Sequence, residues 1–474
     1  MRFSTETTMS SLIDTQRAFI NSNATKSVAF RIRQLQALRS LLAENERELE
    51  AAIRADYGKG RFETFLTELF VIYDEIDVAL EHVEEWARYQ PVSTNLLNAP
   101  ARSYIIPEPL GVSLVIGPWN YPYQLALAPA VAAIAAGCTV VLKPSELTVH
   151  SSALLSRLIR ERFDPAFFAV VEGGIAETTA LLAEKFDIIF FTGSVPVGRI
   201  VYQAAAKHLT PVVLELGGKS PTIIEPDCKL DVAVRRVVWA KFLNSGQTCI
   251  APDYVCVHRS IEKEFLDRLR KEIVAADYAL PNDNYVRIVN ERNTRRLVGL
   301  IDPPKVVLGG QHDIANRFIE PTVMAGVTWD DAVMQEELFG PLLPVIAYDS
   351  LDELIARIKA RAKPLALYLF TESEETKTKV LGEVSFGGGC VNDAVMHISN
   401  GALPFGGVGD SGMGSYHGVA GFRAFSHHKS VLDRDAIGDT DIKYSPHTDD
   451  KLALLKSVVG MVPVVAVSKE GATS

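Results

Sequence analysis

Five short apolar segments alternate with helical segments between residues 111 and 216, and this alternation restricts the fold more than any other feature of the chain. The apolar segments read GVSLVIG, TVVLKP, AFFAVV, DIIFFTGS and PVVLEL. Their nearly continuous hydrophobicity is typical of strands that are covered on both faces of a parallel sheet. We therefore predict a doubly wound α/β domain, in which ligands bind beyond the carboxyl ends of the strands.

A second α/β alternation follows and continues to about residue 390. It begins at SPTIIEP, passes through the helical segment LDVAVRRVVWAKF and continues past YVCVH and IEKEFLDRLRKEI. Residues 9 to about 90 carry apolar positions at helical spacing, and prolines mark the segment 91–109. The predicted fold class is therefore α/β, with two doubly wound lobes behind a helical start.

Composition excludes several classes of protein. The 474 residues can bury a large core without staples, and the net charge of −10 argues against a nucleic-acid partner. The five cysteines form no CxxC pair and no cluster with histidines, so we expect neither disulfides nor a metal site, and a reducing, cytoplasmic location is the default. The longest late apolar run, 458–467, has ten residues, whereas a membrane span needs about 20.

The glycine fingerprint of dinucleotide sites occurs once, as Gly407-x-Gly409-x-x-Gly412, but in the wrong context. The residues after it are rich in glycine, and too little chain follows to form a sheet. A better candidate is FTGSVPVG, where the strand DIIFF leads into Gly193 and Ser194 and a helix follows. Backbone N–H groups at a helix start suit a phosphate, and glycine permits close approach.

Lys143 and Glu146 follow the strand TVVLKP at the same predicted edge of the sheet. The Lys143 amine could donate to ribose hydroxyls, and the Glu146 carboxylate could accept from them. The segment fits a solvated lysine with Ser145 capping the next helix equally well. By itself it does not decide between a cofactor contact and an ordinary helix start.

Cys249 stands out among the cysteines because it lies in NSGQTCIAP, a turn of small polar residues just after a predicted helix. A thiol reacts as a thiolate, and an accessible turn is a place where a thiolate can form. The GQT before Cys249 argues against burial, whereas Cys138 and Cys256 are flanked by apolar strand residues and fit inert core positions. Cys249 is therefore the candidate nucleophile.

A thiol enzyme also needs a base and a hydrogen-bond donor for a developing oxyanion. Glu215 ends the strand PVVLEL, where an unpaired carboxylate is costly to bury, so we expect it to face a cleft. Asn120 follows the first strand in GPWNYP and carries an amide that could donate. Each could be a turn residue by itself, but all three groups are expected near one crevice.

The chain resembles the aldehyde dehydrogenase superfamily in an ordered series of motifs: GPWNYP, KPSE, FTGS, LELGGKSP, NSGQTC, EELFGP and PFGGVGDSGMG. The phrase AAAKHLTPVVLELGGKSP and the ending GMGSYHG are similar to the class 3 branch. The resemblance implies the oxidation of an aldehyde, aromatic or medium- to long-chain aliphatic, to a carboxylic acid. It also implies NAD or NADP as cofactor and a homodimer.

The resemblance assigns the catalytic roles. Cys249 attacks the aldehyde carbonyl, and the Asn120 amide and the Cys249 backbone N–H hold the oxyanion of the thiohemiacetal. The cofactor oxidises this adduct to a thioester, and Glu215 activates the water that hydrolyses it. Enzymes that pass the thioester to CoA tend to lack a carboxylate at the Glu215 position, so a CoA-acylating enzyme is the nearest alternative, and a non-catalytic structural descendant is another.

The resemblance also assigns the cofactor contacts: Lys143 and Glu146 at the adenosine ribose, Gly193, Ser194 and Gly198 at the phosphate turn, and Glu337 and Phe339 in EELFGP at the nicotinamide ribose. Glu146 would repel a 2′-phosphate and so favours NAD, yet class 3 relatives often accept both cofactors.

The predicted domains follow the motifs. They are an NAD(P)-binding, Rossmann-like domain of residues 1–90 and 107–216, a catalytic domain of residues 217–390, a small bridging and oligomerisation β element of residues 91–106 and 391–430, and a C-terminal tail of residues 431–474.

Two features leave alternatives open. Tyr121, Trp239 and Phe405 could line an apolar substrate tunnel, but they fit ordinary core positions as well. The tail KLALLKSVVGMVPVVAV is amphipathic and then apolar. It predicts a peripheral membrane contact or a lid over the substrate entrance, as in fatty-aldehyde relatives, or else packing on the dimer partner.

Overall fold

Helices and strands follow the predicted alternation in the computed structural model, which describes residues 6–436 and 440–460. The α-helices are α1 (Glu6–Asn21), α2 (Val28–Glu44), α3 (Glu46–Tyr57), α4 (Arg61–Thr64), α5 (Phe70–Trp86), α6 (Gln124–Ala136), α7 (Val149–Arg162), α8 (Ile175–Ala183), α9 (Val195–Ala206), α10 (Leu230–Phe242), α11 (Glu262–Ala276), α12 (Glu291–Val298), α13 (Leu351–Lys359), α14 (Glu374–Glu383), α15 (Gly418–Ala424) and α16 (Asp449–Gly460). A π-helical turn, Phe65–Leu69, connects α4 to α5.

The strands are β1 (Gln90–Val92), β2 (Arg102–Pro109), β3 (Val112–Ile116), β4 (Thr139–Lys143), β5 (Phe168–Val170), β6 (Ile188–Thr192), β7 (Val212–Glu215), β8 (Pro221–Ile224), β9 (Tyr254–His258), β10 (Val306–Leu308), β11 (His312–Asp313), β12 (Phe318–Ile319), β13 (Thr322–Met324), β14 (Leu342–Tyr348), β15 (Ala366–Phe370), β16 (Gly388–Val391), β17 (Gly412–Met413) and β18 (Ser426–Asp433).

The first sheet has the strand order β17-β7-β6-β3-β4-β5. Strands β3 to β7 are parallel to one another, as the five apolar segments predict. The chain leaves β3 in one direction along the sheet for β4 and β5, and then returns to the other side of β3 for β6 and β7. The carboxyl ends of β3 and β6 therefore flank the switch point at which ligands bind in such sheets.

The second sheet has the order β10-β13-β14-β9-β8-β15-β16. Its strands are parallel except for β10, which pairs antiparallel with β13. The predicted fold class, α/β with two doubly wound lobes, is confirmed.

Helix α6 lies at the centre of the larger core. Its sequence, QLALAPAVAAIAA, is apolar on every face, and all of its residues are buried. Such a helix needs cover on all sides, and it packs against α2, α5 and α15 as well as β3 and β4. Leu35, Leu38 and Leu42 form the buried stripe of α2. The helical start of the chain is thereby part of the cofactor-side core.

The glycine-rich segment near residue 410, which carries the GxGxxG pattern, forms a strand that pairs with the first sheet. Strand β17 pairs antiparallel with β7, with Gly412 opposite Glu215. The Leu216 N–H donates to the Ser411 carbonyl oxygen at 3.0 Å. Gly412 has φ +148°, and a Cβ there would collide with the carbonyl oxygen of Leu214. The glycine at this position thus lets a second backbone approach the strand that ends at Glu215.

The chain divides into two compact units. The larger one contains the described residues up to Arg88 and Pro107–His428, and the smaller one contains Tyr89–Ile106 and the described residues from Lys429 onward. In the smaller unit, β1 pairs antiparallel with β2, and the sheet order is β1-β2-β18. The partition by function into cofactor domain, catalytic domain, arms and tail stays a prediction.

The predicted tail segment begins as helix α16, and its apolar end, 461–467, lies outside the described residues. Among the helices that the structure describes, none has the length and hydrophobicity that crossing a bilayer requires.

Candidate active site

A cleft with a cavity volume of about 230 Å³ opens at the switch point of the first sheet. The cleft is lined by Pro118, Trp119, Asn120, Thr192, Gly193, Ser194, Glu215, Leu216, Gly217, Cys249, Asn293, Arg296, Glu337 and Phe339. It therefore brings together the predicted nucleophile, base and oxyanion donor with four of the seven predicted cofactor residues.

The loop before Cys249 has an unusual backbone. Asn244, Ser245 and Gly246 all have positive φ, at +52°, +53° and +73°. A non-glycine residue in this region carries strain that the surroundings must hold in place. The Asn244 side-chain amide donates to the carbonyl oxygens of Asn120 (3.0 Å) and Gln247 (3.1 Å), and the Ser245 hydroxyl donates to Val286 O.

Gln247 completes the support of this loop. Its side-chain nitrogen donates to the carbonyl oxygens of Asn244 and Arg287, both at 3.1 Å, and its side-chain oxygen accepts from the Val289 N–H at 2.9 Å. Asn244 and Gln247 are fully buried. The buried polar side chains of NSGQTC thus stabilise the loop by hydrogen bonds. Within this turn, Cys249 is the residue that is partly exposed.

Burial raises the pKa of the Cys249 thiol to about 12, and the nearby carboxylates of Glu337 and Glu215 add to the rise. Glu337 is affected in the same way, because burial and the negative charge of Asp253 raise its pKa to about 8. The thiol is therefore protonated at neutral pH in this state of the protein.

Glu215 stands at the end of β7 and is buried. Within the described part of the chain, neither carboxylate oxygen has a hydrogen-bond partner. Burial raises its pKa well above the ordinary range of a glutamate. The expectation that this carboxylate faces a cleft is met, since Glu215 lines the same cleft as Cys249.

Asn120 is buried, and both its side chain and its backbone carbonyl oxygen make hydrogen bonds. Its side-chain amide donates to Gln247 O at 3.0 Å, and its carbonyl oxygen accepts from the Tyr57 hydroxyl at 2.9 Å. An amide nitrogen carries two hydrogens, so one remains for a ligand oxygen while the other stays on Gln247 O.

The phosphate-turn candidates occupy two positions. Gly193 and Ser194 line the cleft, and Ser194 is the N-cap of α9, whose first N–H groups have no partner within the helix. Gly198 lies one turn along α9, where a Cβ would come within 2.6 Å of Leu216. Its absent side chain lets α9 approach the end of β7.

Lys143 and Glu146 lie outside the cleft lining. Lys143 is buried at the end of β4, and its Nζ pairs with Glu146 Oε2 at 3.1 Å. The Ser145 hydroxyl accepts from the Leu147 N–H at 3.2 Å, but the N-cap of α7 is Thr148. The alternative interpretation, a solvated lysine with a helix-capping Ser145, is therefore wrong, and the contact of Lys143 and Glu146 with a ribose stays a prediction.

The Glu337–Phe339 turn is fixed from several directions. Gly217 leaves the space that the Glu337 carboxylate occupies. Arg296 donates to Leu338 O at 2.6 Å, and Lys219 donates to Glu336 O at 2.8 Å. The Leu338 N–H donates to Asp253 Oδ1 at 2.9 Å. Phe339 has φ +50°, and its ring meets the Trp119 ring edge-on with centroids 5.4 Å apart.

The three substrate-pocket candidates lie outside the cleft lining. The Tyr121 hydroxyl is hydrogen bonded to Thr248 Oγ1 at 2.6 Å, one residue before Cys249. Phe405 packs against the Tyr416 ring with centroids 5.8 Å apart. Trp239 is half-buried on α10 beside a separate surface groove. A tunnel formed by these three aromatic residues stays a prediction.

Several residues of the site escaped the sequence argument. Trp119 lies inside the quoted motif GPWNYP, so its position was the available signal. Thr192 ends β6 and lies inside the quoted motif FTGS, so its position was also an available signal. Asn293 and Arg296 come from α12, which carries no motif, and Tyr416 is buried close enough to Glu215 for that carboxylate to help raise its pKa. No local pattern marks Asn293 and Arg296, whereas Tyr416 lies inside the quoted motif GMGSYHG.

The fold and the cleft are those of an α/β enzyme with a cysteine, a carboxylate and an amide at one switch point. The chain matches the aldehyde dehydrogenase family over residues 2–431. It is similar to the dimeric NADP-preferring aldehyde dehydrogenase of Rattus norvegicus, with 46% identity over 436 residues that cover 91% of this chain and 96% of that protein.

A bacterial enzyme gives a similar match in sequence and in structure. The 4,4'-diaponeurosporen-aldehyde dehydrogenase of Staphylococcus aureus (strain NCTC 8325 / PS 47) is 44% identical over 435 residues, which cover 91% of this chain and 95% of that protein. A solved structure, the substrate-bound state of Staphylococcus aureus AldH, aligns with a TM-score of 0.92 and 42% identity over 95% of this chain and 99% of that chain.

The chain therefore belongs to the aldehyde dehydrogenase family, and it is an NAD(P)-dependent oxidoreductase that acts on aldehydes. The resemblance to the class 3 branch is confirmed, because relatives named as family 3 members are 42–44% identical to it. The cleft fits the cofactor: Thr192 Oγ1 and both Glu215 oxygens are buried without partners among the described residues, and Gly193 and Ser194 line the cleft at the start of α9.

The raised pKa of Cys249 predicts its reactivity. We expect iodoacetamide to label Cys249 slowly at pH 7 in the cofactor-free protein and faster at each step up to pH 10, because only the thiolate reacts. Labelling is followed by mass spectrometry of the Cys249 peptide, with buried Cys256 as the internal control. A labelling rate that is already constant between pH 7 and pH 9 would contradict the prediction.

Proposed function

We propose that Cys249, Asn120 and Glu215 carry out the oxidation as nucleophile, oxyanion donor and hydrolytic base. The observation that carries this proposal is the Glu215 carboxylate, which lines the same cleft as Cys249 with both oxygens unpartnered within the described chain. A buried carboxylate without partners is costly. Proton transfer with water or with the reacting thiol would account for a carboxylate at this position.

The first step forms a bond between Cys249 Sγ and the aldehyde carbon. The thiol gives its proton to solvent as Sγ attacks, and the carbonyl oxygen becomes an oxyanion; this proton is the one that the overall reaction releases. The free N–H of the Asn120 amide and the Cys249 backbone N–H donate to this oxygen. One donor of this kind contributes about 10²–10³ in rate.

When bound, the cofactor would supply the two-electron oxidation that converts the adduct on Cys249 to a thioester. Lys143 and Glu146 would hold its adenosine ribose, and the N–H groups at the start of α9 behind Gly193 would hold its phosphates. Glu337 would bind the other ribose. Lys219 and Arg296 keep the turn of Glu337 in place.

Glu215 then takes a proton from a water molecule, whose oxygen attacks the thioester carbon. The carbon–sulfur bond breaks, the carboxylic acid leaves, and Cys249 regains a proton. In total one aldehyde, one water and one NAD(P)⁺ give one acid, one NAD(P)H and one proton. A base with a raised pKa suits this step, because it binds the proton more strongly than an ordinary glutamate does.

The names of the relatives support a substrate class and an assembly, and the sequence of the tail supports its role. The Rattus norvegicus relative is named as dimeric, and the Staphylococcus aureus relative is named for a diaponeurosporen aldehyde. We propose a homodimer that oxidises aromatic or medium- to long-chain aldehydes. The C-terminal tail would contact a membrane surface peripherally or cover the substrate entrance, and the cytoplasm would be its location.

Replacing Glu215 separates the two halves of the reaction. We expect Glu215→Gln to form one equivalent of reduced cofactor per site and then to turn over about 10²–10⁴-fold more slowly, because the thioester is no longer hydrolysed with base assistance. Stopped-flow absorbance at 340 nm measures both phases. Cys249→Ser is the control and should show neither phase.

A normal steady rate in Glu215→Gln would contradict the role of Glu215. The same assay tests the CoA-acylating alternative. If the wild-type protein forms acid from aldehyde and NAD(P)⁺ without CoA, hydrolysis is the reaction; if it turns over only after CoA is added, the alternative holds.

Glu146 is proposed to set the cofactor preference. A 2′-phosphate would meet its carboxylate, which is half exposed and paired with Lys143. We expect Glu146→Gln to raise the ratio of kcat/KM for NADP to that for NAD roughly 5- to 10-fold, about 1 to 1.4 kcal/mol. Glu161→Gln, an exposed carboxylate of α7, is the matched control. An unchanged ratio in Glu146→Gln would contradict the assignment.

Truncation after residue 448 tests the tail. It removes α16 and the residues that follow. We expect weaker binding to phospholipid vesicles and a lower kcat/KM for long-chain aldehydes, with unchanged kinetics for short ones as the control. Unchanged vesicle binding together with unchanged long-chain kinetics would contradict the membrane and lid proposals. A shift from dimer to monomer on size exclusion would then favour packing on the partner.

A further inference from the structure

A buried ion pair lies in the helical start of the chain. Lys59 Nζ and Glu68 Oε1 are 3.0 Å apart, and both side chains are 0% exposed. Removing two charges from water is expensive, and it is tolerated where further hydrogen bonds satisfy both groups. Glu68 lies in the π-helical turn Phe65–Leu69, and turns of this kind occur often at functional sites. The cost of burying this pair therefore raises the question of which neighbouring groups it holds in place.

The second oxygen of Glu68 holds the start of α6. Glu68 Oε2 accepts from the backbone N–H groups of Tyr123 (3.0 Å) and Gln124 (2.9 Å). A carboxylate at this end of a helix satisfies free N–H groups and matches the helix dipole. Asn120 lies just before these residues. Glu68 thus anchors the far end of the loop that carries the predicted oxyanion donor.

Lys59 connects the pair to the nucleophile. Its Nζ lies 4.2 Å from the centroid of the Tyr121 ring, within cation–π distance. The Tyr121 hydroxyl is hydrogen bonded to Thr248 Oγ1 at 2.6 Å. Thr248 directly precedes Cys249. A continuous chain of contacts therefore runs from Glu68 through Lys59 and Tyr121 to the residue beside the thiol.

Two neighbours in the same helical segment reach the same loops. The Glu63 side chain accepts from the Asn244 N–H at 2.9 Å, at the start of the strained loop. The Tyr57 hydroxyl donates to Asn120 O at 2.9 Å. Residues 57–68 thus contact the Asn120 loop and the Cys249 loop together.

We propose that Lys59 and Glu68 are positioning residues for the oxidation, and that they hold the Asn120 amide and the Cys249 thiol at the separation that oxyanion binding requires. This inference rests on the proposed roles of Asn120 and Cys249. A displacement of about 1 Å between reacting groups can reduce a rate by as much as 10²-fold. The pair acts through the loops and does not touch substrate.

The test compares Lys59→Met with the double variant Lys59→Met/Glu68→Gln. The single variant leaves Glu68 buried and unpaired, so both its melting temperature and its rate should fall. In the double variant Glu68 no longer leaves a buried charge, and the amide oxygen introduced by Glu68→Gln still accepts at α6, so the melting temperature should recover in large part. Glu63 loses the nearby Lys59 charge in both variants. The kcat of the double variant should stay about 10- to 100-fold low, because Tyr121 has lost the ammonium.

Two further measurements separate positioning from general damage. The KM for aldehyde and the Kd for NAD should stay within about twofold of wild type, and the first turnover should slow, since the oxyanion forms before the thioester. Glu215→Gln differs in keeping a fast first turnover. Ile76→Val, which removes one buried methyl group in α5, is the control for mild destabilisation and should keep the wild-type kcat.

Two results would overturn the positioning role of Lys59 and Glu68. Recovery of kcat together with the melting temperature in the double variant would overturn the proposal, because the pair would then serve folding alone. Failure of both variants to fold at 20 °C would overturn it for the same reason. If the single variant alone does not fold, the double variant decides. Wild-type dehydrogenation by Cys249→Ser would instead show that the proposed function is at fault.

Discussion

The loop of residues 243–249 is the constraint on which the cleft depends. It turns through three consecutive residues with positive φ, two of which are not glycine. Such a backbone persists only where its surroundings hold it. The side chains of Asn244 and Gln247 provide five of the hydrogen bonds that do so, one of them to Asn120 O, and the Asn120 amide donates a further one to Gln247 O. The predicted nucleophile and oxyanion donor are therefore parts of one hydrogen-bonded unit.

This unit explains the composition of the surrounding motifs. The sequence NSGQTC is polar although most of it is buried, because each polar side chain replaces a backbone contact that a strained loop cannot make for itself. In LELGGKSP, Gly217 gives room for Glu337, and Lys219 fixes the Glu337 turn from the other side. Residues that are distant in the sequence thus depend on one another's size and hydrogen bonds.

The predictable part of the molecule is the part that local patterns encode. Apolar runs separated by helices identified the parallel strands, and strand ends identified Asn120, Glu215 and Gly193, because ligands bind at strand ends in any such sheet. Lys59 and Glu68 were out of reach, since charged residues in a segment with apolar positions at helical spacing are expected to face solvent. In the structure, Lys59 lies in the connection between α3 and α4. The burial of both residues depends on α6 and on the Cys249 loop, which follow them by more than 50 residues. Arg296 escaped for the same reason.

Burial of the acidic groups sets opposing requirements in the cleft. A Glu215 with several hydrogen-bond donors would ionise easily and would be a weak base, whereas the unpartnered carboxylate has a raised pKa and binds a proton strongly. The raised pKa values of Cys249 and Glu337 arise from the same desolvation, and each negative charge near the thiol opposes a further one. The raised pKa of the Cys249 thiol consequently favours its protonated form in the free protein. Stability is sacrificed at Glu215, where an unsatisfied carboxylate remains in the core, and the fold tolerates it because the two α/β lobes supply a large apolar core around the cleft.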